Sequence, residues 1–287
     1  MTILVTGATG NVGRHVVDQL HRAGNQVLAL TRNPKTARMP DGVEVVQGDL
    51  FTPHTLSSIF ARVDRIFLIT VGGEEYSTLP GYELIQLAKE QNVQHITVIW
   101  NGEKGSVEKA VEASGMAWTQ LHPLEFMVNA LDWSDSIRAE GVVREPFGNA
   151  LSALIHEADI ASVAVKTLLE NGHAGKTYTL SGPEALTVRE KIQVISKVME
   201  RDIQFIELSE EEARVQMEKA GLPEDHIEMF IKWFGDLPKM AYTVVPTVEE
   251  ITGHPARTFE QWVREHVHIW KVADNDKEES NNDNRES

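Results

Sequence analysis

The feature that most constrains this chain is a glycine-rich segment near its start. Residues 7–13 have the sequence GATGNVG, and they directly follow a short apolar run at residues 3–6 that is typical of a β-strand. Apolar side chains then recur at helical spacing over residues 12–23. A strand, a glycine-rich turn and a helix in this order predict an α/β fold and a loop that binds phosphate groups.

Each glycine has its own role in this prediction. Gly7 permits the tight turn, Gly10 lets the backbone approach a diphosphate, and Gly13 lets the helix pack closely on the strand. Free amide groups at the start of the helix then face the diphosphate, where the helix dipole favours negative charge. The predicted binding residues of the loop are Gly7, Thr9, Gly10, Asn11, Val12 and Gly13.

Short β-rich runs alternate with amphipathic stretches over residues 1–123, which indicates a doubly wound parallel sheet of the Rossmann type. The predicted strands are residues 3–6, 26–31, 43–47, 65–71, 95–100 and 117–121. After that the alternation loosens, and residues 124–273 are predicted to form a smaller mixed α+β lobe with a strand at residues 176–180. Whether later segments return to the first domain stays open. Residues 274–287 are polar, acidic and free of aromatic side chains, which predicts a disordered tail.

Charge and composition exclude several classes of protein. The formal net charge is -16, so the surface repels phosphate backbones and direct nucleic-acid binding is not expected. The chain has no cysteine, which excludes disulfides and thiolate metal sites, and no metal site is predicted. No apolar run approaches the roughly 18 residues of a membrane span, and the first strand leaves no room for a leader. A soluble, cytoplasmic protein is therefore expected.

The end of the second predicted strand decides between two dinucleotides. Proteins specific for NAD usually carry an acidic residue about 20 positions on, which binds the ribose 2'-hydroxyl. This chain has Arg32 there instead, with Lys35 close behind it. Because a guanidinium stacks on adenine and pairs with a 2'-phosphate, NADP(H) is the predicted cofactor in preference to NAD(H). A solvated surface arginine is the alternative.

Further cofactor contacts are predicted after the third and fourth strands. Asp49, followed by Leu50, is placed to accept a hydrogen bond from the adenine amino group, and a capping role fits it equally well. Gly72 and Gly73 would let the chain pass close to the ribose beside the nicotinamide, or they form only a turn.

These residues together resemble the NmrA-like group of atypical short-chain dehydrogenase/reductases. The loop at residues 7–13, Arg32 and the segment at residues 48–50 are similar to the cofactor half of that family. A K-x-x-V-E motif that starts at Lys104, and the His122-Pro123 pair, resemble segments that border its substrate cleft. The resemblance covers most of the chain before the tail. It implies a Rossmann fold and the activity of an NADPH-dependent quinone or azo reductase.

The chain departs from the wider superfamily at its catalytic pair. That superfamily transfers a proton through Tyr-x-x-x-Lys, and none of the four tyrosines here has a lysine four residues later. Lys104 matches a lysine that some reductases of the group place near the nicotinamide as acid, base or ribose anchor. The resemblance therefore makes Lys104 the candidate catalytic and cofactor-binding residue. An exposed ion pair with Glu108, on the same helix face, is the alternative.

The resemblance also implies a substrate cleft. Its predicted residues are Trp100, Asn101, His122 and Phe126. His122 stands where the family has an arginine, which weakens the transfer of that role to this chain. Packing in the core or in the cleft wall is expected for the remaining large aromatic residues Trp118, Trp133, Trp233 and Phe234.

Two functions follow from these predictions. The first is an NADPH-dependent reductase that transfers hydride to a small flat acceptor such as a quinone. The second is a non-catalytic sensor that binds NADP(H) and regulates a partner protein, which the missing tyrosine-lysine pair favours. A homodimer or a regulatory protein partner is compatible with both functions, and association with a membrane is not expected.

Overall fold

The computed structural model describes residues 1–70, 79–100, 102 and 104–271, and these residues form two compact units. The first unit consists of Met1–Phe126, Ile155–Pro183 and Val244–Arg257, and the second of Met127–Leu154, Glu184–Thr243 and the residues from Thr258 onward. Later segments therefore contribute to the first unit, a possibility that the sequence left open. The predicted sites at Gly72, Gly73 and Asn101, and the acidic tail at residues 274–287, lie outside the described residues.

The described residues contain eleven strands and eleven α-helices. The strands are β1 (Thr2–Val5), β2 (Gln26–Thr31), β3 (Glu44–Gln47), β4 (Arg65–Ile69), β5 (His95–Ile99), β6 (Ala117–Pro123), β7 (Val142–Glu145), β8 (Leu151–Ser152), β9 (Lys176–Leu180), β10 (Leu186–Thr187) and β11 (Gln204–Glu207). The helices are α1 (Gly13–Arg22), α2 (Ser57–Phe60), α3 (Gly81–Glu90), α4 (Ser106–Ala113), α5 (Ser134–Glu140), α6 (Glu157–Leu169), α7 (Val188–Met199), α8 (Glu210–Lys219), α9 (Glu224–Gly235), α10 (Thr247–Thr252) and α11 (Phe259–Trp270). Short 3-10 helices occupy Pro34–Thr36, Pro53–Leu56, Met127–Trp133 and Lys239–Tyr242.

A parallel sheet of seven strands forms the centre of the first unit, in the order β3-β2-β1-β4-β5-β6-β9. This order confirms the predicted doubly wound α/β fold. The assignment of residues 176–180 to the second lobe was wrong, because these residues form β9 and pair in parallel with β6. Helix α6 makes this connection, as parallel pairing requires a crossover from one end of the sheet to the other.

The two faces of the sheet bury alternate residues of each strand. Along β1, Leu4 belongs to one apolar cluster, while Ile3 and Val5 belong to the other, and all three side chains are fully buried. Helices α2, α3 and α4 contribute to the cluster of Leu4, and α1, α6 and α10 contribute to the cluster of Ile3. Each fully buried aliphatic side chain of this kind contributes about 1.5 to 3 kcal/mol, so the sheet is held firmly from both sides.

The strand order reverses between β1 and β4. On the two sides of this point the crossover helices leave the sheet on opposite faces, so a crevice forms beyond the carboxyl ends of the strands. The glycine-rich segment follows β1 directly and therefore lies at this crevice. Open α/β sheets bind their ligands at such a position.

The second unit has two small two-stranded sheets, β8 with β10 and β7 with β11. Its main apolar cluster contains Phe259, Trp262 and Trp270, and all three side chains are fully buried. Helix α9 was not predicted from the sequence. Trp233 does not lie in the core, since the residue is 47% exposed, and its place in a cleft wall stays a prediction. Ile231 on α9 is buried in a small apolar cluster of the second unit. Trp233 follows two residues later, about 200° around the helix, and therefore faces solvent.

In the ranges that the structure describes, no helix has the length and apolar character needed to cross a lipid bilayer.

Candidate functional site

The GATGNVG loop makes a tight turn between β1 and α1. Gly7 has a φ of +57°, in the left-handed region that glycine adopts without strain. A Cβ at this position would lie 2.6 Å from Cγ2 of Ile69. The Gly10 amide donates a hydrogen bond of 2.9 Å to the Gly7 carbonyl oxygen and closes the turn. The structure thus forms the turn that was predicted at Gly7.

Gly13 is the most restricted position of the loop. A Cβ there would lie 2.0 Å from the Gly7 carbonyl oxygen and 3.0 Å from Cα of Ala8. The helix packs on the strand as predicted, since α1 and β1 share one apolar cluster, and the atoms nearest to a Cβ at Gly13 belong to the loop backbone. The first turn of α1 folds back onto the loop itself, and loop backbone takes the place where a side chain would stand.

The amino end of α1 has no side-chain cap. Its N-cap residue is Val12, whose side chain has no oxygen that could accept from the amides of the first turn, and no acidic residue lies in that turn. The amides of Arg14 and His15 donate to the carbonyl oxygens of Gly10 and Val12 at 3.1 Å and 3.0 Å, and the helix dipole adds a positive partial charge at this end. The end of α1 is therefore suited to an anionic ligand.

A pocket of about 280 Å³ lies beside the loop, where β1, β2 and β3 end. Its lining residues are Thr6, Gly7, Thr9, Leu30, Thr31, Arg32, Asn33, Thr36, Gly48, Asp49, Leu50 and Phe51. Five of the predicted cofactor residues are among them. The other described ones do not line the pocket, namely Gly10, Asn11, Val12, Gly13, Lys35 and Lys104. Lys35 is exposed on the 3-10 helix at Pro34–Thr36.

Asp49 takes the capping role that was one of its two predicted roles, and its contact with adenine stays a prediction. Its carboxylate oxygen Oδ1 accepts a hydrogen bond of 3.0 Å from the Phe51 amide, so it holds the turn after β3. It also lines the pocket. Asn33, Thr36 and Phe51 were missed by the sequence analysis. Their position directly after β2 and β3 was the available signal, because carboxyl ends of neighbouring parallel strands meet at one edge of the sheet.

A second group of predicted residues meets at the carboxyl ends of β5 and β6. The rings of Trp100 and His122 stack with their centroids 4.4 Å apart and an angle of 26° between their planes. The Lys104 ammonium lies 5.9 Å from the centroid of the Trp100 ring, within the range of a cation-π contact. We call these three residues the Trp100 cluster. Phe126 is half-buried and forms an isolated parallel bridge with Ile155.

Burial changes the chemistry of the Trp100 cluster. Loss of solvent lowers the pKa of His122 below its ordinary value, because burial disfavours the charged imidazolium. His122 is therefore neutral at pH 7. The Trp100 indole N–H is buried and has no hydrogen-bond partner among the described residues. A buried donor without a partner costs about 1 to 3 kcal/mol, and few such groups occur in folded proteins.

Lys104 does not form the predicted pair with Glu108. It lies two residues before α4 begins, so the i, i+4 geometry of a helix does not apply, and its ammonium instead pairs with Glu112. The Glu108 side chain is buried and accepts hydrogen bonds from the Gly105 amide at 2.8 Å and from Thr70 Oγ1 at 2.6 Å. A glycine followed three residues later by glutamate was the sequence signal for this helix start.

Comparison with known proteins agrees with this geometry. The profile of the NmrA-like family matches residues 1–102. A reductase of (4-alkanoyl-5-oxo-2,5-dihydrofuran-3-yl)methyl phosphate from Streptomyces griseus is 38% identical over 281 residues, which cover 92% of this chain and 98% of that protein. The chain belongs to the NmrA-like family. The family and the NAD(P)-binding Rossmann fold that were predicted from the sequence are thereby confirmed.

Two further relatives are informative. An NAD(P)H azoreductase from Xenophilus azovorans is 32% identical over 289 residues, with 94% of this chain and all of that protein covered. The structure of an NADPH-dependent quinone oxidoreductase from Escherichia coli, solved with NADPH, superimposes with a TM-score of 0.80 at 25% identity and covers 93% of this chain and 100% of that one. Similarity therefore extends over nearly the whole length of these proteins.

Proposed function

We propose that this protein is an NADPH-dependent reductase that transfers hydride to a small flat acceptor such as a quinone. The observation that carries the proposal is the GATGNVG loop at the point where the strand order reverses, with an uncapped helix behind it. Relatives named as reductases of a furanone phosphate, of azo compounds and of quinones support it.

The described residues fit a dinucleotide. The backbone of the loop and the amino end of α1 would hold the diphosphate, since no side chain intrudes at Gly7, Gly10 or Gly13. The pocket beside the loop would hold the adenosine half. Arg32, which lines this pocket, would pair with a 2'-phosphate and so favour NADP(H) over NAD(H).

The Trp100 cluster would serve the reacting end. A bound nicotinamide supplies hydride, and the acceptor also needs one proton, so that a quinone and NADPH with one proton give a hydroquinone and NADP+. The stacked rings of Trp100 and His122 form an apolar wall for a flat acceptor. The Lys104 ammonium donates a hydrogen bond to the acceptor oxygen and stabilises the negative charge that develops there.

The test combines binding with turnover. Titration calorimetry with NADPH and NADP+ measures affinity, and the loss of NADPH absorbance measures reduction of 1,4-benzoquinone, substituted naphthoquinones and the azo dye methyl red. We expect tight NADPH binding and oxidation that depends on the acceptor. Intact binding without oxidation for any acceptor would overturn the reductase proposal and favour a redox sensor with a protein partner.

A further inference from the structure

One carboxylate outside the predicted site contacts the candidate catalytic lysine. Glu112 lies on α4, and its Oε1 atom pairs with the Lys104 ammonium. The same oxygen accepts a second hydrogen bond, of 3.2 Å, from Nε2 of Gln120 on β6. Both charged side chains are about one third exposed, with 36% for Lys104 and 35% for Glu112. The lysine is thus tied to the sheet through one carboxylate.

Gln120 is a rigid anchor for this carboxylate. Its side chain is fully buried, and its Nε2 atom donates to the Glu108 carbonyl oxygen at 3.2 Å as well as to Glu112. Both neighbours are acceptors, so only the amino side of the amide fits between them. The amide therefore has one orientation and fixes the place of the Glu112 oxygen.

The backbone beside Lys104 is fixed by separate contacts. Glu108 accepts from the amide of Gly105, the next residue, and from Thr70 Oγ1 at the end of β4. The start of the lysine side chain and its far end are thereby both restrained. Lysine carries much rotamer freedom, and a group held in its reactive position loses less of it when the reaction begins.

We infer that Glu112, held by Gln120, is a positioning residue for the proposed reductase, and that it keeps the Lys104 ammonium over the Trp100 ring where the acceptor binds. This inference rests on the proposed function of Lys104. Glu112 itself touches neither acceptor nor cofactor. Because Glu112 acts through the lysine alone, its replacement should have no effect once the lysine is removed, and a double-mutant cycle measures this.

The cycle compares Glu112→Gln, Lys104→Met and the double variant in NADPH-dependent reduction of 1,4-benzoquinone. We expect Glu112→Gln to lower kcat about fivefold with the acceptor KM and the NADPH Kd within about twofold, since positioning acts in the transition state. Lys104→Met should lower kcat more, and in that background Glu112→Gln should change nothing further. Glu112→Asp keeps the charge and should regain part of the rate.

Glu170→Gln is the matched control. It breaks another exposed lysine-glutamate pair of the same unit, Lys166 with Glu170, and should leave kcat unchanged. Equal losses for Glu112→Gln in both lysine backgrounds would show a purely structural role and overturn the inference, as would an unchanged kcat in Glu112→Gln. If Lys104→Met affects neither kcat nor NADPH affinity, both the role of Lys104 and the inference about Glu112 are wrong. The proposed reductase activity is tested separately, by turnover of the wild-type protein.

Discussion

The glycine loop and the Trp100 cluster lie at the same edge of one sheet, yet they are built in different ways. The loop consists of neighbours in sequence, and its shape depends on backbone atoms that exclude a single added carbon at Gly13. The Trp100 cluster joins side chains from β6, from the residue after β5 and from the segment before α4. We therefore expect the loop to tolerate almost no substitution and the cluster to be adjustable one residue at a time.

The largest effect should come from the loop. In Gly13→Ala the new Cβ would meet the Gly7 carbonyl oxygen at 2.0 Å, so the loop must leave its place under the diphosphate. We expect NADPH affinity to fall more than about 100-fold in calorimetry, which corresponds to more than about 2.7 kcal/mol. Gly235→Ala, where a Cβ makes ordinary contacts of 3.7 Å, is the control and should bind normally. Near-normal binding by Gly13→Ala would remove the distinction between the two regions.

A smaller and more selective effect is expected at the pocket. Arg32→Ala removes the guanidinium proposed to pair with the 2'-phosphate. NADPH should bind about 10- to 100-fold more weakly, as a charge-assisted contact contributes about 1 to 3 kcal/mol, while NADH affinity should hardly change. Arg22→Ala, which breaks an exposed pair with Asp18 on α1, serves as control. Equal losses for both dinucleotides would contradict the proposed contact.

The smallest effect on cofactor affinity is expected in the Trp100 cluster. Trp100→Ala uncovers the His122 ring, so water returns and the lowered pKa should rise toward the ordinary value of about 6.5. Protonation would then begin at a higher pH than in the wild type. Titration of the imidazole proton signals by NMR, with His122→Gln to assign them, measures the shift. NADPH affinity should stay within about threefold; a loss as large as that of Gly13→Ala would mean that both regions form one binding unit.

Sequence patterns predicted the features that depend on near neighbours. Alternation of apolar runs and amphipathic stretches indicated the parallel sheet, and the glycine spacing located the turn at Gly7. The place of β9 was not predictable in this way, because the strand is short and half-exposed and its partner β6 lies more than fifty residues earlier. Its pairing depends on how α6 packs, and the local spacing of apolar residues in the sequence does not predict this packing.

The contacts of Lys104 show the same limit at the candidate site. Spacing alone favoured Glu108 as its partner, since a helix brings residues four apart together. The helix begins only after Gly105, so the Glu108 side chain accepts a hydrogen bond from the Gly105 amide, and Glu112 forms the ion pair with Lys104. Gln120, which completes the arrangement, is on a different strand. Such contacts depend on where a helix starts and on the packing of α4 against β6, and neither can be predicted from a single sequence motif.

The discontinuous path of the first unit also affects its synthesis. A ribosome that has released residues 1–126 has made six of the seven central strands, and the chain still lacks α6 and α10. Of the helices that cover the cluster around Ile3 and Val5, only α1 is then present, and Ile160, Leu168 and Val248 are still missing. Partly covered apolar surfaces of this kind are prone to aggregate and are held by chaperones. We therefore expect the first unit to complete its core only after Arg257 has left the ribosomal exit tunnel, and one apolar face of the sheet to stay partly exposed until then.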